Sequence, residues 1–176
     1  MEVCLIRHTT PQIAKGICYG QTDLELADSY PFELQAIMKE TDQMQFDQIY
    51  SSPLKRCKAL ATDLFTDKAI IFDKRIMEYH FGEWEMVAWN DMEQGEQEKW
   101  MADYVNIPAP GGESLLDMKK RVADFLEEIT RSKYRSVALV THSGVIRIIS
   151  AIVEQTDLAR CFDYQLPYGV IKRFSI

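Results

Sequence analysis

The stretch Val3-Cys4-Leu5-Ile6-Arg7-His8-Thr9-Thr10-Pro11 decides the fold. Its apolar residues, Val3 to Ile6, describe a strand buried on both faces, the kind found inside a parallel sheet. The run stops at an arginine and a histidine, and the threonines and Pro11 end it. In an open α/β sheet the carboxyl ends of the strands face the crevice in which ligands bind. Arg7 and His8 therefore stand where a ligand would, and a cation beside an imidazole suits a phosphate. Alone, the pair reads more simply as a strand end meeting solvent, so the chemistry needs further residues.

Outward from this stretch, Ser136 to His142 is a second apolar run that ends in a histidine, followed by Ser143-Gly144 and a helix over 145–153. Phe46 to Ser51 is a short strand. Ser51-Ser52-Pro53 predicts the start of a helix, with serine as cap and proline just inside, running to about Phe65. Arg56 falls in its first turn, where the positive end of the helix dipole also draws an anion, although a lone helical arginine is most simply a solvated charge. Ala69 to Phe72 predicts another buried strand. Helical periodicity marks 31–43 and the stretch opened by Glu113-Ser114, with Leu115, Leu116, Met118, Val122, Phe125, Leu126 and Ile129. The tail 162–176 reads as two short edge strands split at Pro167 to Gly169.

Repeated strand-then-helix order predicts an α/β fold: a three-layer αβα arrangement around a mostly parallel, doubly wound sheet. Thr9 to Ser29 is a long polar loop. Arg75 to Glu85 is a second loop, dense in carboxylates and aromatics, turning at Gly82. Met86 to Val105 is polar and helical, interrupted near Gly95. No repeat or linker divides the chain, so one domain over 1–176 is expected, with 86–110 as a helical cap over the site.

With 176 residues, 47% of them hydrophobic and 27% charged, the chain suits a globular protein that buries roughly 70% of its unfolded surface. A net charge of -7 argues against general nucleic-acid binding; Lys55, Arg56 and Lys58 make only one basic helical turn. A small anionic substrate remains compatible, since a local pocket attracts it whatever the overall charge. No apolar run is long enough to span a bilayer, and Glu2 followed by a brief apolar run is unlike a secretory signal, so a cytoplasmic location is expected. Cys4, Cys18, Cys57 and Cys161 show neither disulfide nor zinc spacing. Trp84, Trp89 and Trp100 read as packing residues, His80 as part of its loop, and Glu93, Glu96 and Glu98 as a solvated face. A zinc site built on His8, His80 and His142 is the least favoured reading.

Taken in order, these segments resemble the histidine phosphatase superfamily over nearly the whole chain. Leu5-Ile6-Arg7-His8 is similar to its Arg-His signature, which implies His8 as the phosphorylated nucleophile beside Arg7. Ser51 to Arg56 is similar to the segment that supplies a second phosphate-binding arginine, Arg56. Glu78, in Ile76 to Glu85, matches the proton donor, with Glu83 and Glu85 as fallbacks. Pro110 to Ser114 and Leu139 to Gly144 match the remaining segments, with His142 as the second pocket histidine. The resemblance implies a phosphoglycerate-mutase-like fold and a metal-independent phosphomonoesterase that works through phosphohistidine, without cofactor, on a small phosphorylated metabolite. Thr9, Tyr19 and Ser143 are the expected substrate contacts.

Within the superfamily, Arg7 to Pro11 and Cys18 to Asp23 are most similar to the α-ribazole phosphatases, which implies removal of a 5'-phosphate during cobalamin assembly. Thr9, Tyr19 and Met86 depart from the pattern, standing where glycine, glutamine and glycine are usual. A broad phosphatase, a mutase and a catalytically silent phospholigand-binding protein are the alternatives; His8 and Glu78 together favour an enzyme. Monomer and homodimer both stay open.

Overall fold

The computed structural model describes residues 1–176. In chain order its elements are β1 (Glu2–Arg7), α1 (Tyr30–Thr41), β2 (Gln48–Ser51), α2 (Lys55–Leu64), β3 (Ile70–Phe72), α3 (Gln94–Ala102), α4 (Leu115–Thr130), β4 (Ser136–Thr141), α5 (Ser143–Glu154) and β5 (Ile171–Ser175). The sheet runs β3-β2-β4-β1-β5, parallel throughout except for β5, which pairs antiparallel to β1. No helix is long and apolar enough to cross a membrane.

The period-two alternation of a strand divides the core between two faces. Val3 and Leu5 of β1, Tyr50 of β2, and Val137 and Leu139 of β4 pack with Met118, Val122 and Phe125 of α4 and Val145, Ile148 and Ile149 of α5. The intervening Cys4, Ile6, Ile49, Ala138 and Val140 pack on the other face, with Ile37 of α1 and Cys57, Leu60 and Ala61 of α2. Both faces are covered, which is why these strands read as unbroken apolar runs. The structure is an α/β fold in three layers.

Four boundaries differ from the sequence reading. Helix α2 begins at Lys55 after an extended Leu54 and has no side-chain cap; Ser52 lies ahead of the helix, its hydroxyl 2.8 Å from His142 Nε2 and accepting the Leu54 amide at 3.4 Å. Strand β3 is the sheet edge, with Ile71 and Phe72 44% and 43% exposed, so it is not a buried strand. The tail forms β5 alone. Ahead of it the Tyr164 and Leu166 carbonyls accept from Arg147 and Arg7, and are taken by guanidiniums instead of a ladder. Of the stretch 86–105 only Gln94–Ala102 is α-helical, preceded by a single 3-10 turn at Trp89–Asp91; Gly95 lies in the first turn of α3, which the Glu93 carboxylate caps by accepting the Gly95 and Glu96 amides at 3.0 and 2.6 Å. The opening of α4 follows the expectation, with Ser114 and Asp117 forming a capping box.

Candidate active site

Strand register brings the histidines together. Arg7 lies opposite Thr141 in the parallel pair β1–β4, so the next residue on each strand, His8 and His142, projects from the same carboxyl edge. Their ring centroids are 5.1 Å apart, and both side chains are buried. Burial and the Arg56 charge hold both imidazoles well below the usual histidine range, His8 despite its bond to the Thr9 carbonyl.

Hydrogen bonding selects the His8 tautomer. Nδ1 lies 2.7 Å from the Thr9 carbonyl oxygen, which can only accept, so Nδ1 carries the proton. Nε2 then presents a lone pair, on which Arg56 Nε donates at 3.3 Å. The neutral ring thus offers a nucleophilic nitrogen among cations. His142 Nε2 meets Ser52 Oγ at 2.8 Å and lies 3.4 Å from Cys57 Sγ, a thiol whose titration burial pushes up.

Arg56 is fully buried, against the solvated reading of that residue in isolation. Its Nη1 and Nη2 donate to the Thr22 and Gly20 carbonyls at 2.9 and 2.6 Å, so the long loop after β1 is what clamps it. Arg7 donates from Nη1 to Leu166 O and lies 4.0 Å from the Tyr168 ring centroid, while its buried Nε has no acceptor. Neither arginine has a carboxylate partner, an arrangement suited to an anionic ligand.

Glu78 sits against the first turn of α5. Its carboxylate accepts from the Gly144 amide at 3.1 and 3.2 Å, from Ser143 Oγ at 3.2 Å and from the Tyr79 amide at 3.0 Å. Arg121 of α4 holds the chain before it. Nη1 donates to the Arg75 and Met77 carbonyls, both at 2.7 Å, and Nη2 to the Glu78 carbonyl at 3.0 Å, while Glu113 pairs with the same guanidinium at 2.6 Å. Glu85 faces elsewhere. It accepts from the Gly20, Gln21, Thr22 and Phe81 amides and the Thr22 hydroxyl, and Glu83 is exposed, so neither fallback carboxylate shares the geometry of Glu78.

Tyr19 reaches the site through a bond of 2.7 Å to the Tyr168 hydroxyl, and the Tyr168 ring lies 5.6 Å from that of His8. Thr9 is buried with Oγ1 unpartnered, so its carbonyl is the atom engaged with His8. Next to Arg7 and Glu78 opens a cavity of about 250 Å³ walled by Tyr79, Phe81, Trp100, Tyr104 and Phe162. The tryptophans pack edge to face, Trp84 on Trp100 at 5.6 Å. His80 lies on its loop, its amide bonded to Glu113 at 2.9 Å.

Sequence reading missed Tyr168, Arg121 and Arg147. Arg147 left a signal, a lone charge inside Val145-Ile146-Arg147-Ile148-Ile149; Arg121 and Tyr168 act across separations that no local pattern reveals.

The model of the histidine phosphatase superfamily, branch 1, matches residues 3–176. The chain belongs to the histidine phosphatase superfamily. As a member it is a phosphoric monoester hydrolase. It is 30% identical to a metal-independent phosphoserine phosphatase of Arabidopsis thaliana over 90% of this chain and 71% of that one. It is 25% identical to the adenosylcobalamin/α-ribazole phosphatase of Escherichia coli K12 over 86% and 78%. Among solved structures, the α-ribazole phosphatase of Shigella flexneri superposes with a TM-score of 0.92 at 22% identity, covering 100% of this chain and 91% of that one, a likeness of fold.

Proposed function

We propose that this histidine phosphatase hydrolyses phosphomonoesters through a phosphohistidine on His8, without a metal. The observation that carries the reading is the buried, neutral His8, whose Nδ1–H is held by Thr9 O so that Nε2 keeps its lone pair beside two unpaired guanidiniums. In the first step Nε2 attacks phosphorus and the bond to the leaving oxygen breaks. Arg7 Nε and Arg56 Nε turn to the phosphoryl oxygens, together with His142, and preorganised donors stabilise the developing charge. Glu78 gives its proton to the leaving oxygen. Water then attacks phosphorus, the P–N bond breaks, and Glu78 takes the proton back.

The substrate we propose is α-ribazole 5'-phosphate, handled in the cytoplasm, where four unpaired thiols are at home. The aromatic-walled cavity beside Glu78 suits a flat base, and the likeness to α-ribazole phosphatases supports it. Phosphoserine is the second reading, favoured by the higher identity to a phosphoserine phosphatase; a serine would leave most of that cavity empty. The test is phosphate release, in chelator, from α-ribazole 5'-phosphate, phosphoserine, phosphoglycerates, sugar phosphates and an aryl phosphate, by the intact protein and His8→Ala. The expected result is a kcat/KM for α-ribazole 5'-phosphate at least roughly 100-fold above the others, with His8→Ala inactive. Preference for phosphoserine overturns the substrate. Full activity in His8→Ala overturns the mechanism.

A further inference from the structure

The aromatic cavity carries two arginines on its wall, Arg7 toward the phosphate pocket and Arg147 on α5. The hydrolysis described above gives Arg147 nothing to do. Its Nη2 donates to Tyr164 O at 3.0 Å, while Nε and Nη1 are buried with no acceptor. The guanidinium lies 5.3 and 5.5 Å from the ring centroids of Phe162 and Tyr164. Those rings ease the burial of the cation but accept none of its remaining N–H bonds.

The arginines that are not solvent-exposed fall into two groups. Arg75 and Arg121 are paired with carboxylates. Arg7, Arg56 and Arg147 have no such partner, and the first two flank His8. A buried charge without a partner is costly unless a ligand completes it. Beside Arg147 the cavity is walled by Phe81, Trp100, Tyr104 and Met118, and its other polar side chains include Arg7, Glu78 and Ser143 of the site already described, so it offers flat packing and, at Arg147, donors that the hydrolysis does not use. Its volume of about 250 Å³ suits one ring or a fused pair.

We propose that Arg147 is a second recognition point for the leaving group. It takes a hydrogen-bond acceptor on the edge of the leaving group's flat ring, remote from the phosphate, such as the free ring nitrogen of a benzimidazole, and a carboxylate placed there is the strongest probe of it. The inference rests on the phosphomonoesterase reading for where the phosphate lies. A purely structural Arg147, tying α5 to Tyr164, would give stability without selecting among ligands.

The probes are benzylphosphonate and its 3-carboxy and 4-carboxy derivatives, which the enzyme cannot hydrolyse, titrated calorimetrically into the intact protein, Arg147→Gln and Arg147→Met. At least one carboxy isomer is expected to bind the native protein roughly 10-fold or more tighter than the parent, and that ratio is expected to fall to about 2 or less in both variants. Glutamine keeps a donor for Tyr164 O, so a methionine variant that fails to fold leaves the comparison intact, and the native ratio needs no variant at all. Equal or absent binding of the three by the native protein overturns the proposal, as does a ratio that survives both substitutions. Turnover of the matching benzyl phosphates is measured separately. Discrimination without turnover overturns only the catalytic reading, and turnover without discrimination only the role of Arg147.

Discussion

Gly144 and Glu78 are in direct contact: a Cβ on Gly144 would lie 2.2 Å from Glu78 Oε1, where the Gly144 amide now donates to both carboxylate oxygens. Gly144→Ala therefore pushes the carboxylate out of place without removing it. Alkyl phosphates, whose leaving oxygen needs a proton, should lose about 10²- to 10⁴-fold in kcat. Aryl phosphates with good leaving groups should lose far less. Equal losses on both substrates would remove Glu78 as the acid.

Glu85 acts at one remove. Its carboxylate gathers the amides of Gly20, Gln21 and Thr22 at 2.9, 2.8 and 3.0 Å, and two of those residues supply the carbonyls that hold Arg56. Burial opposes ionisation of Glu85, but the bonds from the Thr22 hydroxyl and the three amides outweigh it and hold its carboxyl below the usual range. Glu85→Ala should destabilise the protein by about 1–3 kcal/mol and lower kcat/KM by weakening phosphate binding at Arg56. Phosphate should protect the variant from thermal unfolding much less than it protects the native protein. Equal protection would detach Glu85 from the site.

The buried histidines set a pH dependence with a definite sign. His8 and His142 have native values depressed well below the unfolded value of about 6.5. Above that pH both states are neutral and neither ring contributes. As pH falls below it, the unfolded chain takes up protons that the native state refuses, so stability drops by about 1.4 kcal/mol per pH unit for each ring. The carboxylates held low, Asp47, Asp73, Glu85, Glu93 and Asp117, titrate at lower pH. Urea midpoints between about pH 6.5 and about pH 5 isolate the histidines. His8→Gln should roughly halve the slope in that window, and a flat profile in the native protein would mean the rings are charged when folded.

How much was legible follows from how far each signal reaches. Val3 to Ile6 and Val137 to Val140 are buried on both faces, so their apolar runs announced the sheet, and the histidine ending each run announced the crevice. The register that makes those histidines neighbours, Arg7 opposite Thr141, lies in the pairing and not in either strand. Arg56 read alone as a solvated charge because its acceptors, Gly20 and Thr22, belong to a loop with no regular pattern. The cap expected at Ser52 fails because the chain stays extended through Leu54, which leaves Ser52 ahead of the first turn with its hydroxyl beside His142. Local propensity loses where the site recruits the residue.

Met86 is a place where sequence and backbone disagree. Met86 takes a left-handed conformation with φ 65°, a region that favours glycine, while its amide donates to Cys18 O at 2.8 Å. Its side chain is 49% exposed, so little packing offsets the strain. The left-handed region costs an L-residue about 1–2 kcal/mol, and glycine gives back roughly 0.4–1 kcal/mol through the freedom of the unfolded chain. Met86→Gly should therefore gain up to about 1 kcal/mol, near 2–4 °C in Tm for a chain of this size. Gly82 supplies the opposite control: at φ 57°, a Cβ would lie 2.1 Å from Pro110 O, so Gly82→Ala adds a backbone clash to the same strain. Melting curves should move up for the first variant and down for the second. A fall in Tm for Met86→Gly would show that the methionine side chain stabilises that turn by more than its conformation costs.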